Sequence, residues 1–291
     1  MATVVHPAAI AATPSKAGLW TFVRRNPTIV IGGSILAILA LMAIFAPLIA
    51  GDPLRMTPAQ RLRPPSEALW FGSDQYGRDL FARTIYGARV SLFVGLTVAV
   101  LASLIGLAIG LVAGYFRRVD AIVMRIMDGI MAIPSILLAI ALITLTRPGL
   151  AVVLIAIVIP EVPRIVRLVR SVVLSIREQP YVESAIAGGT RGFKLLFRHI
   201  LPNTVAPLIV QATYVCASAM LVEASLSFLG AGVPPEIPTW GNIISQGRTF
   251  FQIAPWSILI PGAFLTITIL AVNLLGDGLR DRLDPRLSRR L

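Results

Sequence analysis

Two carboxylates in this chain lie where a carboxylate is expensive. Glu161 falls within an apolar run, between Pro160 and Pro163. Glu223 falls within another, and Asp128 borders a third. Ionisable groups inside a membrane-spanning segment either handle substrates or protons, or are paired internally. Glu161 stands three residues before Arg164, within helical pairing distance, so a structural ion pair accounts for it as well as proton or substrate handling does. Glu223, close to Ser225, is placed either to meet a substrate or to hydrogen-bond neighbouring helices. Hydrolytic chemistry has no support: there is no Gly-x-Ser-x-Gly elbow and no His-Glu-x-x-His. Cys216 is the lone cysteine and His6 and His199 are the two histidines, too few for a metal centre or a disulfide framework.

The run Gly188-Gly-Thr-Arg-Gly192-Phe-Lys194 looks superficially like a phosphate loop. Its spacing departs from Gly-x-x-x-x-Gly-Lys-Ser/Thr and no strand precedes it, so this chain holds no nucleotide site. Energy from ATP, if used, comes from another polypeptide.

The elements that position these groups are those of an integral membrane protein. Hydrophobic residues make up 56% of the 291 and charged residues 14%, with a mean hydropathy of +0.81; soluble domains carry about 25% charged residues. About 20 apolar residues cross the hydrocarbon core, and six segments qualify or nearly do: about 28–50, 91–116, 129–146, 150–167, 204–230 and 257–275. Arg147-Pro148-Gly149 forces a tight turn between the third and fourth. The second contains Gly106, Gly110 and Gly114, a small-residue stripe that lets another helix approach closely. The first 26 residues lack the apolar core and cleavage site of a secretory signal, so the first span reads as a retained anchor.

The net charge of +12 does not point to nucleic acid, because the basic residues are spread over several loops and not gathered in one stripe. Their distribution reports topology instead. With the N-terminus in the cytoplasm, that side collects Lys16, Arg24, Arg25, Arg117, Arg118, Arg125, the seven from Arg164 to Arg198, and Arg280 to Arg290, which is most of the 26. Both termini are then cytoplasmic. Trp70, Trp240 and Trp256 fall at the opposite interface, as an aromatic belt would. The expected division is a tail, 1–27; a first span, 28–50; an outer loop, 51–90, with an amphipathic helix from Asp79 lying at the interface; a core of spans, 91–276; and a tail, 277–291.

Between the fourth and fifth spans lies the longest stretch too polar for lipid. Val182, Ala185 and Ile186 share one helical face, and Phe193, Leu196, Phe197 and Ile200 share another. Gly188 and Gly189 separate the two, and Pro202 is expected to stop the second. The prediction is a helical hairpin over about 178–203 on the cytoplasmic side, with Arg191, Lys194 and Arg198 on its remaining surface. Its apolar face lies on the bilayer, packs beneath the bundle, or fills a groove on a partner.

Glu183-Ser184-Ala185, followed by Gly189 and by Leu201-Pro202, resembles the "EAA" coupling motif of ATP-binding-cassette importer permeases: Glu-Ala-Ala, three residues, Gly, nine residues, Ile-x-Leu-Pro. Ser184 stands at the second motif position and His199 at the Ile. Gly72-Ser-Asp-Gln-Tyr-Gly-Arg-Asp79, Tyr86-Gly-Ala-Arg-Val-Ser91, Glu223-Ala-Ser-Leu-Ser-Phe-Leu-Gly230, Asn273-Leu-Leu-Gly-Asp-Gly-Leu-Arg-Asp281 and Leu283-Asp-Pro-Arg286 are similar to the dipeptide, oligopeptide and nickel branch, closest to its second, shorter permease. The resemblance implies an all-α bundle of six transmembrane helices of the type I importer kind, in a bacterial inner membrane. It implies a non-catalytic transport subunit paired with a homologous permease in a heterodimer. Two cytoplasmic ATPase subunits would carry ATP and Mg, and an extracytoplasmic binding protein would deliver di- or oligopeptides, nickel, glutathione or opines. It assigns Glu183, Ser184, Ala185, Gly189, Phe193, Phe197, Leu201 and Pro202 to the contact with an ATPase. A proton-coupled secondary transporter using Glu161 or Glu223 is the alternative from another class, though no inverted repeat is evident.

Overall fold

The computed structural model describes residues 26–146 and 149–283. Among them every regular element is helical, apart from a single antiparallel bridge between Ser73 and Asp79. The helices are α1 (Pro27–Ile44), α2 (Ala46–Ile49), α3 (Leu80–Tyr115), α4 (Arg117–Met131), α5 (Ser135–Thr144), α6 (Leu150–Arg177), α7 (Pro180–Ala187), α8 (Gly192–Leu195), α9 (Leu201–Phe228), α10 (Trp240–Gly247) and α11 (Trp256–Leu283). The expected tails, the basic residues within them and the Arg147-Pro148 turn lie largely outside the described residues.

Four stretches are long and apolar enough to cross a membrane: α1, α3, Gly192–Phe228 and α11. The bent pair α4–α5 adds a fifth. Helix α6 is less apolar because Glu161, Arg164 and Arg167 fall in its middle turns, yet its 28 residues extend about 42 Å. The expected six spans therefore resolve into four apolar helices, one broken span and one charged helix of sufficient length. Ile38, Leu96, Leu104 and Leu270 stand exposed on the outside, where hydrocarbon would cover them.

Helix α3 is the centre. Its glycine stripe meets α6 in register. A Cβ at Gly106 would come 2.6 Å from Ile165 Cβ, one at Gly110 2.7 Å from Val169 Cβ, and one at Gly114 2.7 Å from Val173 Cβ. Matching four-residue steps on both helices make them parallel, packed backbone to side chain along about two turns. On its other side α3 packs antiparallel to α9, with Gly95 against Cys216 and Met220. Helices α1 and α11 complete the bundle, joined at Gly32 and Gly278.

Three expectations about element boundaries change. The amphipathic helix from Asp79 is not a separate interfacial element: α3 runs unbroken from Leu80 for 36 residues. Asp79 caps it, its carboxylate accepting from Phe81 N at 2.9 Å, and Leu80, Ala82, Ile85 and Ala88 are buried in protein and not laid on lipid. The third span is not one helix over 129–146, because the chain breaks at Pro134 and α4 meets α5 at 84°; proline disfavours helix at the preceding residue. Pro202 does not stop the hairpin's second arm. It sits in the first turn of α9, directly after the π-helical turn over Leu196–Ile200, and the helical rod continues through it.

The aromatic belt is also corrected at one position. Trp70 is exposed, but Trp240 is fully buried. Its indole Nε1 donates to Thr84 O and its backbone N to Ser91 Oγ, so α10 is stitched to α3. The ring belongs to a buried apolar cluster with Ala43, Ala88, Ala217, Met220 and Leu265.

Candidate functional site

The hairpin sits at the far end of α3 from the 51–79 loop. Tyr115, the last residue of α3, receives a hydrogen bond on its hydroxyl from Gly192 N, and Arg177 at the end of α6 donates to Gly114 O and Tyr115 O. Helix α7 ends in a Schellman cap. Thr190 N donates to Ala185 O and Gly189 N to Ile186 O, both at 2.9 Å, with Gly189 at φ +87°. Only glycine, or at some cost asparagine, takes that conformation. A Cβ there would meet nothing within 4 Å, so within this chain the need for glycine is conformational.

The second arm begins with α8, widens into a π-helical turn over Leu196–Ile200, and continues as α9. Gly192–Phe228 is thus one helical rod. The π turn divides the aromatic-aliphatic face expected from a regular helix. Leu195, Leu196 and Ile200 are buried under the bundle, whereas Phe193 and Phe197 are 61% and 57% exposed. Those two rings stack on each other at 6.4 Å, and Phe116 abuts Phe193 at 6.2 Å. On the first arm Val182 is buried, while Glu183, Ser184 and Ile186 are exposed. Asn203 Nδ2 bridges the arms, donating to Tyr181 Oη and to His199 O. Partial desolvation lifts the Tyr181 phenol above its ordinary value.

One end of the bundle therefore presents Glu183, Ser184, Gly189, Phe193, Phe197 and Pro202 outward, with Ala185 and Leu201 half-buried beside them and Arg191, Lys194 and Arg198 at the rim. An exposed stacked aromatic pair on an arm that also exposes Arg191, Lys194 and Arg198 is suited to a protein partner.

The intramembrane carboxylates are elsewhere. Glu161 Oε1 accepts from Arg164 at 2.9 Å and from Ser218 Oγ at 3.4 Å, while Oε2 is buried without a partner. Glu223 is buried and accepts from Ser227 Oγ at 2.9 Å and Thr239 Oγ1 at 2.8 Å, tying α9 to the loop before α10. Asp128 pairs with Arg167 at 2.5 Å.

A further cluster, not singled out by type or spacing, lies at the loop end. Asp74 Oδ1 accepts from Tyr76 N and Arg78 N, and its Oδ2 pairs with Arg78 Nε at 2.6 Å and lies 3.8 Å from Arg83 Nε. Gln246 of α10 accepts from Arg78 at 2.5 Å, and Arg83 is fully buried. The only hint in the sequence was Asp74 four residues before Arg78. Among the described residues no group of His, Cys, Asp and Glu could hold a metal ion.

Comparison with known proteins agrees with this architecture. A family model described as the binding-protein-dependent transport system inner membrane component matches residues 102–289, and one described as the N-terminal TM domain of oligopeptide transport permease C matches residues 18–65. A probable peptide ABC transporter permease of Sinorhizobium fredii is 59% identical over 267 residues, covering 92% of each chain. The dipeptide transport system permease DppC of Alkalihalophilus pseudofirmus is 45% identical, over 91% of this chain and 88% of that one. The oligopeptide permease OppC of Bacillus subtilis is 40% identical over the same shares. Among solved structures, the inward-facing MetNI methionine ABC transporter has a chain of the same fold, with a TM-score of 0.51 at 21% identity over 67% of this chain and 94% of that one. The chain belongs to the family of binding-protein-dependent transport system inner membrane components, the membrane permeases of ABC importers.

Proposed function

We propose that this chain is one transmembrane half of an ABC importer for di- and oligopeptides, paired with a homologous permease and driven by two ATPase subunits. Three relatives carry names of peptide, dipeptide and oligopeptide permeases, which supports the substrate class. The observation that carries the coupling role is the exposed Phe193–Phe197 stack beside the Schellman turn at Gly189. In this reading the hairpin and both termini face the cytoplasm, as the basic residues of α4, α6 and the hairpin argue, and an extracytoplasmic binding protein docks at the end bearing α10. ATP and Mg bind the partner subunits. The hairpin is fused to α9 without a break and joined to the end of α6 by a two-residue link, Glu178-Gln179. Closure of the ATPase dimer therefore moves these rods together and biases the bundle between its two access states.

Gly189→Trp tests the reading. The variant inserts into the membrane but no longer copurifies with the ATPase, whereas Gly189→Asn, which tolerates φ > 0, keeps the complex. Normal copurification of the Trp variant would sink the docking assignment. Uptake that persists when ATP is depleted and collapses with the proton gradient would replace the importer by a secondary transporter.

A further inference from the structure

Helix α6 carries four arginines, and three of them reach to neighbouring elements. Arg167 pairs with Asp128, Arg170 pairs with Asp120 at 2.5 and 2.7 Å, and Arg177 holds the carbonyls of Gly114 and Tyr115. Arg164 differs. Its carboxylate partner, Glu161, is on its own helix; its side chain is 38% exposed, against 44% for Arg167. The pair lies roughly 17 to 21 Å along α6 from Leu150, by the rise of 1.5 Å per residue, which is in the cytoplasmic half of a hydrocarbon core about 30 Å thick when Leu150 marks its outer edge. An exposed guanidinium at that depth does not face lipid; it faces water or protein.

The surroundings favour water. Leu168, one turn beyond Arg164, lines an open groove of about 760 Å³ shared with Asn203 and Gln211 of α9 and Arg280 of α11. Ser218, two turns from Gln211 on the same face of α9, meets Glu161. The pair therefore sits at the α6–α9 contact that leads from the groove toward the bundle centre. Among the described residues the groove is lined by an arginine and two side-chain amides, with no carboxylate. Such a surface complements an anionic group, and a guanidinium meets a carboxylate in a two-point geometry.

We infer that the Glu161–Arg164 pair lines the water-filled substrate path, Arg164 receiving the C-terminal carboxylate of the passing peptide and Glu161 holding the guanidinium in position. The identity of the ligand rests on the peptide-importer reading; the exposure of the pair to water does not.

The test uses the whole transporter in lipid nanodiscs, in a Cys216→Ala background. Glu161→Gln/Arg164→Cys removes both charges together, so that neither is left buried alone, and Leu168→Cys is a second reporter that spares the pair. Both introduced thiols react with a membrane-impermeant methanethiosulfonate sulfonate. Dialanine at roughly ten times its half-saturating concentration slows the reaction at Leu168→Cys about tenfold, since about a tenth of sites are then free, and the C-terminal amide of dialanine does not. Reconstituted in proteoliposomes, Glu161→Gln/Arg164→Gln raises the KM for dialanine uptake while binding to the isolated binding protein is unchanged. Absence of labelling at both positions in a folded complex would mean that lipid or the partner permease covers this face, and would overturn the inference. So would equal protection by the amide, or an unchanged KM. If the unmodified complex imports no peptide, the peptide reading and the carboxylate assignment fall together, while labelling still decides whether the pair faces water.

Discussion

Trp240 Nε1 donates to the carbonyl oxygen of Thr84 across 3.0 Å, with the ring wholly enclosed. This bond joins residues far apart in the chain and seats α10 on the first turns of α3. Trp240→Ala empties that pocket and leaves the Thr84 carbonyl without its side-chain donor. The expected cost is about 3–5 kcal/mol. Trp240→Phe keeps most of the packing and loses the hydrogen bond, about 1 kcal/mol. Thermal unfolding of the purified complex should rank the two in that order, and equal midpoints would remove the assigned role.

The α3–α6 seam has no room for a methyl group. At Gly106 and Gly110 an added Cβ would lie 2.6 and 2.7 Å from the Cβ atoms of Ile165 and Val169, which are branched and anchored in the core. Gly110→Ala should destabilise by about 1–3 kcal/mol through overpacking, and Gly110→Val by more. Gly33→Ala, where a Cβ meets nothing within 4 Å, is the contrast. It should be neutral or stabilising by about 0.5–1 kcal/mol, the helix preference of alanine over glycine. Expression yield and melting midpoint of the three variants decide the matter.

How much of this was legible beforehand depends on whether a residue's environment is set locally. The four-residue glycine period is a local pattern, and the structure places it against one face of α6. The Schellman turn at Gly189 follows from its two glycines between amphipathic arms. The faces of the second arm were not legible, because the π turn over Leu196–Ile200 shifts the angular step per residue and sends Phe193 and Phe197 outward while Leu196 turns in. Trp240 was misplaced because its burial depends on Thr84 and Ser91, distant residues that hydropathy cannot pair with it. The Asp74–Arg78–Arg83 cluster is tertiary in the same sense, completed only when Gln246 arrives on α10.

The exposed rings of the hairpin give a separate test of docking. Phe193 and Phe197 contribute little buried area within this chain, so Phe193→Ser/Phe197→Ser should leave its melting midpoint nearly unchanged. If the rings anchor the ATPase, each is expected to contribute about 2 kcal/mol or more, roughly thirtyfold in affinity per ring. Titration of purified ATPase onto nanodisc-embedded permease measures this. A loss of chain stability with unchanged ATPase affinity would assign the rings to packing instead.

Thr239 offers the sharpest separation between a structural and a proton-handling role for Glu223. Its hydroxyl donates to Glu223 Oε1 at 2.8 Å and accepts from Asn242 N at 3.0 Å, so one side chain both satisfies the buried carboxylate and caps α10. Thr239→Val keeps the shape and removes both bonds, costing about 1 kcal/mol for the cap and about 1–3 kcal/mol for the carboxylate left short of a donor. Thr239→Ser keeps both. If Glu223 only braces α9 against α10, the Val variant melts lower and its ATP-driven uptake per folded complex keeps the pH profile of the parent. If Glu223 carries a proton, removing its donor shifts that profile, and the measurement of uptake against pH in both variants tells the two apart.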